Sequence, residues 1–84
     1  MTSMIEDDDV FIWLRDEIAE RRQIRKDMVR PESSLSEDLL PDSFEMIELV
    51  TAIEGRYGIR IEYENVVDLD TIAEIVRYIQ KHRD

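Results

Sequence analysis

The chain has 84 residues, a formal net charge of −10 and no cysteine. One domain of this size buries roughly 60–65% of the surface its unfolded chain exposes, so a deep substrate cavity of its own would consume much of the core. The missing thiols exclude a disulfide framework and a thiolate metal site, which fits a cytoplasmic protein, and the longest apolar run, residues 10–14, is far too short for a membrane span and lacks the flanks of a signal peptide.

The charge is unevenly spread. Between residues 31 and 76, twelve acids face only Arg56 and Arg60. A field of that sign repels nucleic acid and anionic membrane and steers basic protein surfaces inward, and it also serves solubility alone.

The first helix begins near Asp9. Asp7, Asp8 and Asp9 suit its positive N-terminal end, and Val10, Trp13, Leu14 and Ile18 make one stripe. Beyond Ile18 the pattern fades into Arg21, Arg22, Arg25, Lys26 and Arg30, read as a fraying last turn or an irregular loop. As a nucleic-acid patch this run is disfavoured by Glu20 and Asp27 within it and by the anionic remainder.

Pro31 breaks the pattern. Ser34 and Glu37 have capping-box spacing, and Leu35, Leu39 and Leu40 can tuck the connection onto a bundle. Pro41-Asp42-Ser43-Phe44-Glu45 then opens the strongest helix, with Asp42 as N-cap and Glu45 completing a second capping box. Met46, Leu49, Val50, Ile53 and Tyr57 form its buried stripe, Ile47 flanks it, and Gly58 ends it in a left-handed cap.

Ile59-Arg60-Ile61 alternates like a strand, yet one short strand has no partner, so an extended connection is expected. Tyr63 to Val67 spans one or two helical turns. The last helix starts at Asp70 or Thr71, with Thr71 and Glu74 as a capping box; it buries Ile72, Ile75, Val76 and Ile79 and sets Lys81, His82 and Arg83 at its negative end. The expected fold is all-α, a small four-helix bundle with three long helices and one short.

Little in this chain can carry catalysis. The lone histidine, His82, is better placed to offset a helix dipole than to serve a nucleophile, and Asp7-Asp8-Asp9 lacks the glycine and downstream glutamate of a calcium loop. No metal site and no enzyme are expected. Ser43 remains: a hydroxyl on the first turn of a helix is exposed, and the backbone N–H groups there favour an attached phosphate. Ser43 can also be a mere capping serine, although Asp42 already holds the better cap position.

From Ser34 onward the chain resembles the acyl carrier proteins. Asp42-Ser43-Phe44 matches that family's Asp-Ser-Leu motif at the start of the second helix. Ser34-Leu35-x-Glu37-Asp38-Leu39 precedes it, Ile47-Glu48-Leu49-Val50-x-Ala52-Ile53-Glu54 follows, and then come Tyr57-Gly58-Ile59-x-Ile61 and Thr71-Ile72-x-x-Ile75-Val76-x-Tyr78-Ile79. Phe44 replaces the usual leucine, Leu40-Pro41 stands where the family often has a glycine and a small residue, and the link from Ile18 to Ser34 is longer and more basic.

The resemblance implies a carrier domain over residues 9–80, between a flexible stretch at 1–8 and a tail at 81–84. It implies a stand-alone carrier holding acyl or aminoacyl intermediates as thioesters on 4′-phosphopantetheine, the arm coming from coenzyme A and attached to Ser43 within the Asp42-Ser43 motif. The implied partners are a phosphopantetheinyl transferase and acyl-loading or acyl-processing enzymes, met at Phe44, Glu45 and Glu48 on the acidic second helix, with fatty-acid or polyketide biosynthesis, nonribosomal synthesis and other carrier roles all left open. Nucleic acid and membrane insertion are not implied, and a monomer is. A long apolar cargo would shelter among Ile53, Ile61 and Val66. The competing reading is a carrier-like bundle that works unmodified as a protein-interaction module.

Overall fold

Among the described residues four α-helices account for most of the chain: α1, Asp9–Arg22; α2, Ser43–Tyr57; α3, Tyr63–Asp68; and α4, Ile72–His82. The computed structural model describes residues 4–83, with the side chains of Met4, Tyr63, Val66 and Val67 outside the description. Three helices are long and one is short, as the apolar spacing predicts, and among the described residues there is no strand. Short 3₁₀ turns occupy Met4–Asp7 and Lys26–Met28, and a single π turn occupies Leu35–Leu39.

The helices bury the stripes that define them. Val10, Leu14 and Ile18 of α1, Met46, Leu49, Val50 and Ile53 of α2, and Ile72, Ile75, Val76 and Ile79 of α4 form one core with Leu35, Leu39, Leu40 and Ile61. Phe11, which falls off the α1 stripe as read from spacing, is buried too. Trp13 and Tyr57, both expected in the buried stripes, are only partly buried and meet edge-on, with ring centroids 5.6 Å apart. That contact ties the middle of α1 to the end of α2.

The ends of α1 explain its length. Asp8 caps the start, its Oδ1 accepting from the Val10 N–H at 2.8 Å, while Gln80 of α4 donates to its other oxygen at 2.6 Å. At the far end Gln23 takes the left-handed conformation (φ 55), and the Gln23 and Ile24 N–H groups return to the Glu20 and Ala19 carbonyls. This is a Schellman closure with glutamine where glycine is usual, and Ile24 packs on the core beside it. Of the two conformations open to residues 21–30, the chain takes the helical end for Arg21 and Arg22 and an irregular loop with one 3₁₀ turn after it.

That loop leads into a connection stitched to α4. The Leu35 N–H donates to the Asp70 carbonyl at 2.7 Å, and the Ile72 and Ala73 N–H groups donate to the Ser33 and Pro31 carbonyls at 3.1 and 2.9 Å. Loop carbonyls thereby satisfy N–H groups that a helix start leaves without intrahelical partners. The Thr71–Glu74 capping box forms in both directions. At Ser34 only half of one forms: its Oγ accepts from the Glu37 N–H, but its own N–H goes to Asp38 at 3.1 Å and not to Glu37.

Gly58 closes α2 at φ 65, and residues 59–62 are an irregular connection that pairs with no strand among the described residues, with Ile61 buried. The Ile61 N–H donates to Glu54 at 2.7 Å, which holds the connection against α2. No helix among the described residues is long and apolar enough to cross a membrane.

Candidate functional site

The site singled out by the sequence lies where α2 begins. Asp42 is extended (φ −85, ψ 122), and its Oδ1 accepts from the Phe44 N–H at 2.8 Å. Asp42, not Ser43, is therefore the cap. Ser43 follows as the first helical residue, and it is exposed. Pro41 fits ahead of the cap because Leu40 before it is non-helical (φ −132, ψ 72). The result is a serine hydroxyl presented at the positive end of a 15-residue helix and not needed to build that helix.

Beside Ser43 the helix shows an apolar flank. Phe44 is 65% exposed and Ile47, three residues on, is 50% exposed. Leu35 and Leu40, by contrast, are buried in the core. Two large apolar side chains one turn apart and facing water cost solvation free energy that the fold leaves unrecovered.

The acidic side of this helix turn departs from expectation. Glu45 does not complete a capping box with Asp42; its Oε1 accepts from Arg22 Nη1 at 2.8 Å, across to the end of α1. Glu48 lies 3.9 Å from Arg21, whose guanidinium is held more closely by Glu17, with both its Nε and Nη2 3.0 Å from the same oxygen. The basic residues that close α1 are thus partners of the acids that open α2. Sequence spacing offers no sign of this pairing, because it joins residues 23 positions apart.

Below the site, the segment leading to Ser43 is latched to α4. Ser34 and Ser36 both donate to Asp70 Oδ1, at 2.8 and 2.9 Å. Hydrogen bonds from Ser34 first, and then from Ser36, hold the Asp70 carboxyl below its ordinary range. Glu74, accepting from the Thr71 and Asp70 N–H groups at 3.0 Å each, is lowered for the same reason. The sequence marks Ser34 only by its capping spacing with Glu37 and gives no sign of either serine's bond to Asp70, since that partner lies 36 and 34 residues away.

The residues considered for a cargo pocket divide. Ile53 and Ile61 are 2% and 7% exposed, in the shared core, while the side chain of Val66 lies outside the described residues. Among the described residues no group of three or more His, Cys, Asp or Glu side chains is placed to hold a metal ion.

Residues 12–79 match the protein family described as "Phosphopantetheine attachment site". The chain is 31% identical over 74 residues to the acyl carrier protein of Wolinella succinogenes, covering 88% of this chain and 97% of that protein. It is 36% identical over 72 residues to the acyl carrier protein of Campylobacter hominis, covering 86% of this chain and 91% of the other. To the meromycolate extension acyl carrier protein of Mycolicibacterium smegmatis it is 35% identical over 74 residues, covering 88% and 75%. A helical bundle with its one candidate serine at the mouth of the second helix, matched by these relatives along nearly its whole length, belongs to the acyl carrier protein family, whose members are carriers and not catalysts and bear covalent 4′-phosphopantetheine.

Proposed function

We propose that Ser43 is the residue that bears the 4′-phosphopantetheine arm and that the chain delivers acyl intermediates held as thioesters on it. The supporting observation is that Asp42 caps α2 and leaves the adjacent Ser43 exposed, its hydroxyl bonded to no side chain or backbone group among the described residues. Loading joins Ser43 Oγ to the phosphorus that carries the pantetheine in coenzyme A. The bond from that phosphorus to the nucleotide breaks, and the hydroxyl proton passes to a base of the transferase. The chain's own share is to present the hydroxyl at the positive end of a helix, where the phosphodiester's negative charge is favoured by the N-terminal N–H groups. Since the chain has no cysteine, the thiol that holds the cargo arrives with the arm.

Acyl cargo is preferred over aminoacyl cargo because the relatives at 31–36% identity carry the acyl carrier name. The transferase and the acyl-processing enzymes dock on α2 beside Ser43, with Phe44 as apolar anchor and acidic residues at the rim. An arm on Ser43 passes its cargo among docked enzymes at an effective concentration set by its length. A long apolar chain would enter by parting Ile53 from Ile61 between α2 and α3.

Incubation with coenzyme A, magnesium and a broad-specificity phosphopantetheinyl transferase tests the reading by intact mass. The wild-type chain gains one arm and Ser43→Ala gains none. A wild-type chain that gains nothing, or a Ser43→Ala chain that still gains an arm, overturns the assignment and leaves an unmodified interaction module.

A further inference from the structure

The acids beside Ser43 are not equally available. Glu45 is held by Arg22 at 2.8 Å, and the two side chains are 35% and 37% exposed. Glu48 is 48% exposed, and its closest cation, Arg21, sits at 3.9 Å and is already engaged by Glu17. A lysine or arginine on a partner enzyme that approaches Glu45 meets a carboxylate whose charge is already offset by a guanidinium tethered within the same molecule. One that approaches Glu48 meets a weaker competitor, Arg21 at 3.9 Å and shared with Glu17. Intramolecular competition of this kind acts at the effective concentration of a tethered group, well above that of a partner protein.

We infer that Arg22 is a specificity-determining residue that keeps Glu45 out of the charge α2 offers to partners. This rests on the reading that Ser43 carries the arm and that partners meet α2 beside it. The surface that remains is Glu48 flanked by the exposed Phe44 and Ile47. It fits a partner with an apolar recess and a single cation at its rim, and it discriminates against one whose recognition depends on a dense basic patch aimed at Glu45. Arg22 acts through Glu45 and needs no contact with the arm or the serine.

The test is steady-state kinetics of arm transfer by the same transferase, with the carrier concentration varied at low and high salt. Arg22→Gln lowers the carrier's KM about two- to fivefold at low salt, the range expected for releasing one exposed ion pair, with kcat unchanged. The gain disappears at high salt, where exposed charges are screened. Arg22→Lys keeps most of the wild-type KM, because a cation still faces Glu45. Adding Glu45→Gln to Arg22→Gln abolishes the gain. Arg77→Gln, the same change of charge on the exposed face of α4, leaves the kinetics as they are. Circular dichroism of each variant confirms that the helices are intact. An unchanged KM for Arg22→Gln, a gain that survives Glu45→Gln, or an equal gain from Arg77→Gln overturns the inference while leaving Ser43 as the loaded residue. A wild-type chain that takes no arm at all overturns both.

Discussion

The Ser34 hydroxyl donates to the Asp70 carboxylate at 2.8 Å, and Ser36 donates to the same oxygen at 2.9 Å, so one carboxylate at the mouth of α4 fastens the segment that delivers the chain to Ser43. Both bonds favour the ionised form and lower the Asp70 pKa in the fold. The sign follows: a group depressed on folding stabilises above its unfolded value, about 3.9, and that stabilisation is lost as pH falls through the folded value. Asp70→Asn keeps an acceptor oxygen but no charge. The variant melts below wild type at pH 7, and the gap narrows as pH falls below about 4 toward the folded value. Relief of repulsion among the other acids of this chain affects both proteins and cancels in the difference. A gap that stays constant from pH 7 to pH 3 in thermal melts would show that the charge of Asp70 is not what the serines stabilise.

Two glycines near the end of α2 respond oppositely to the same substitution. Gly58 sits at φ 65, while Gly55 is helical, and an added Cβ meets nothing within 4 Å at either position. Space is therefore not the issue and backbone conformation decides. Gly55→Ala stabilises the protein by roughly 0.5–1 kcal/mol by removing chain freedom from the unfolded state. Gly58→Ala costs about 1–2 kcal/mol because a Cβ disfavours the left-handed conformation. Urea denaturation of the two variants decides it, and equal signs would contradict the cap geometry.

The buried and exposed faces of α2 separate by stability. Leu49 is 0% exposed and Ile53 2%, whereas Ile47 on the same helix is 50% exposed. Leu49→Ala and Ile53→Ala each cost on the order of 2–5 kcal/mol, combining lost burial with the cavity left behind. Ile47→Ala stays within about 0.5 kcal/mol of wild type. A loss at Ile47 as large as at Leu49 would mean that Ile47 is covered in solution.

What could be read from the sequence was local. The apolar spacing of α2 and α4, the Asp42 cap, the Thr71–Glu74 box and the Gly58 terminator each act within a few residues, and all appear in the fold. The end of α1 escaped because its left-handed closure uses Gln23, a residue with no preference for that conformation. The pairing of Arg22 with Glu45 and the latch of Ser34 and Ser36 onto Asp70 escaped because each joins segments that only the packed bundle brings together. Glu45 is the instructive residue. Its position three after Asp42 satisfies the capping-box spacing, yet a guanidinium nearby competes better for its carboxylate than a backbone N–H does.

Glu48 and Phe44 lie on the open side of the helix, 48% and 65% exposed, and belong to different classes of contact. A charge at an interface rim acts mainly on the association rate and its salt dependence, whereas an apolar anchor that becomes buried acts on residence time. Glu48→Lys also brings a second cation toward Arg21, but Arg21 keeps Glu17 at 3.0 Å, so the fold survives. Glu48 stands five residues beyond Ser43, past the first turn, so its reversal barely perturbs the helix dipole. Arm transfer onto Ser43 by the transferase therefore slows about threefold or more for Glu48→Lys at low salt and recovers toward wild type at high salt. Phe44→Ala associates at nearly the wild-type rate but dissociates about tenfold faster, as loss of an anchoring aromatic implies. Stopped-flow association and dissociation traces separate the two effects. If the folded Glu48→Lys protein is loaded at the wild-type rate at both salt concentrations, partners approach Ser43 from another face, and the basic residues 25–30 beyond the end of α1 become the place to look.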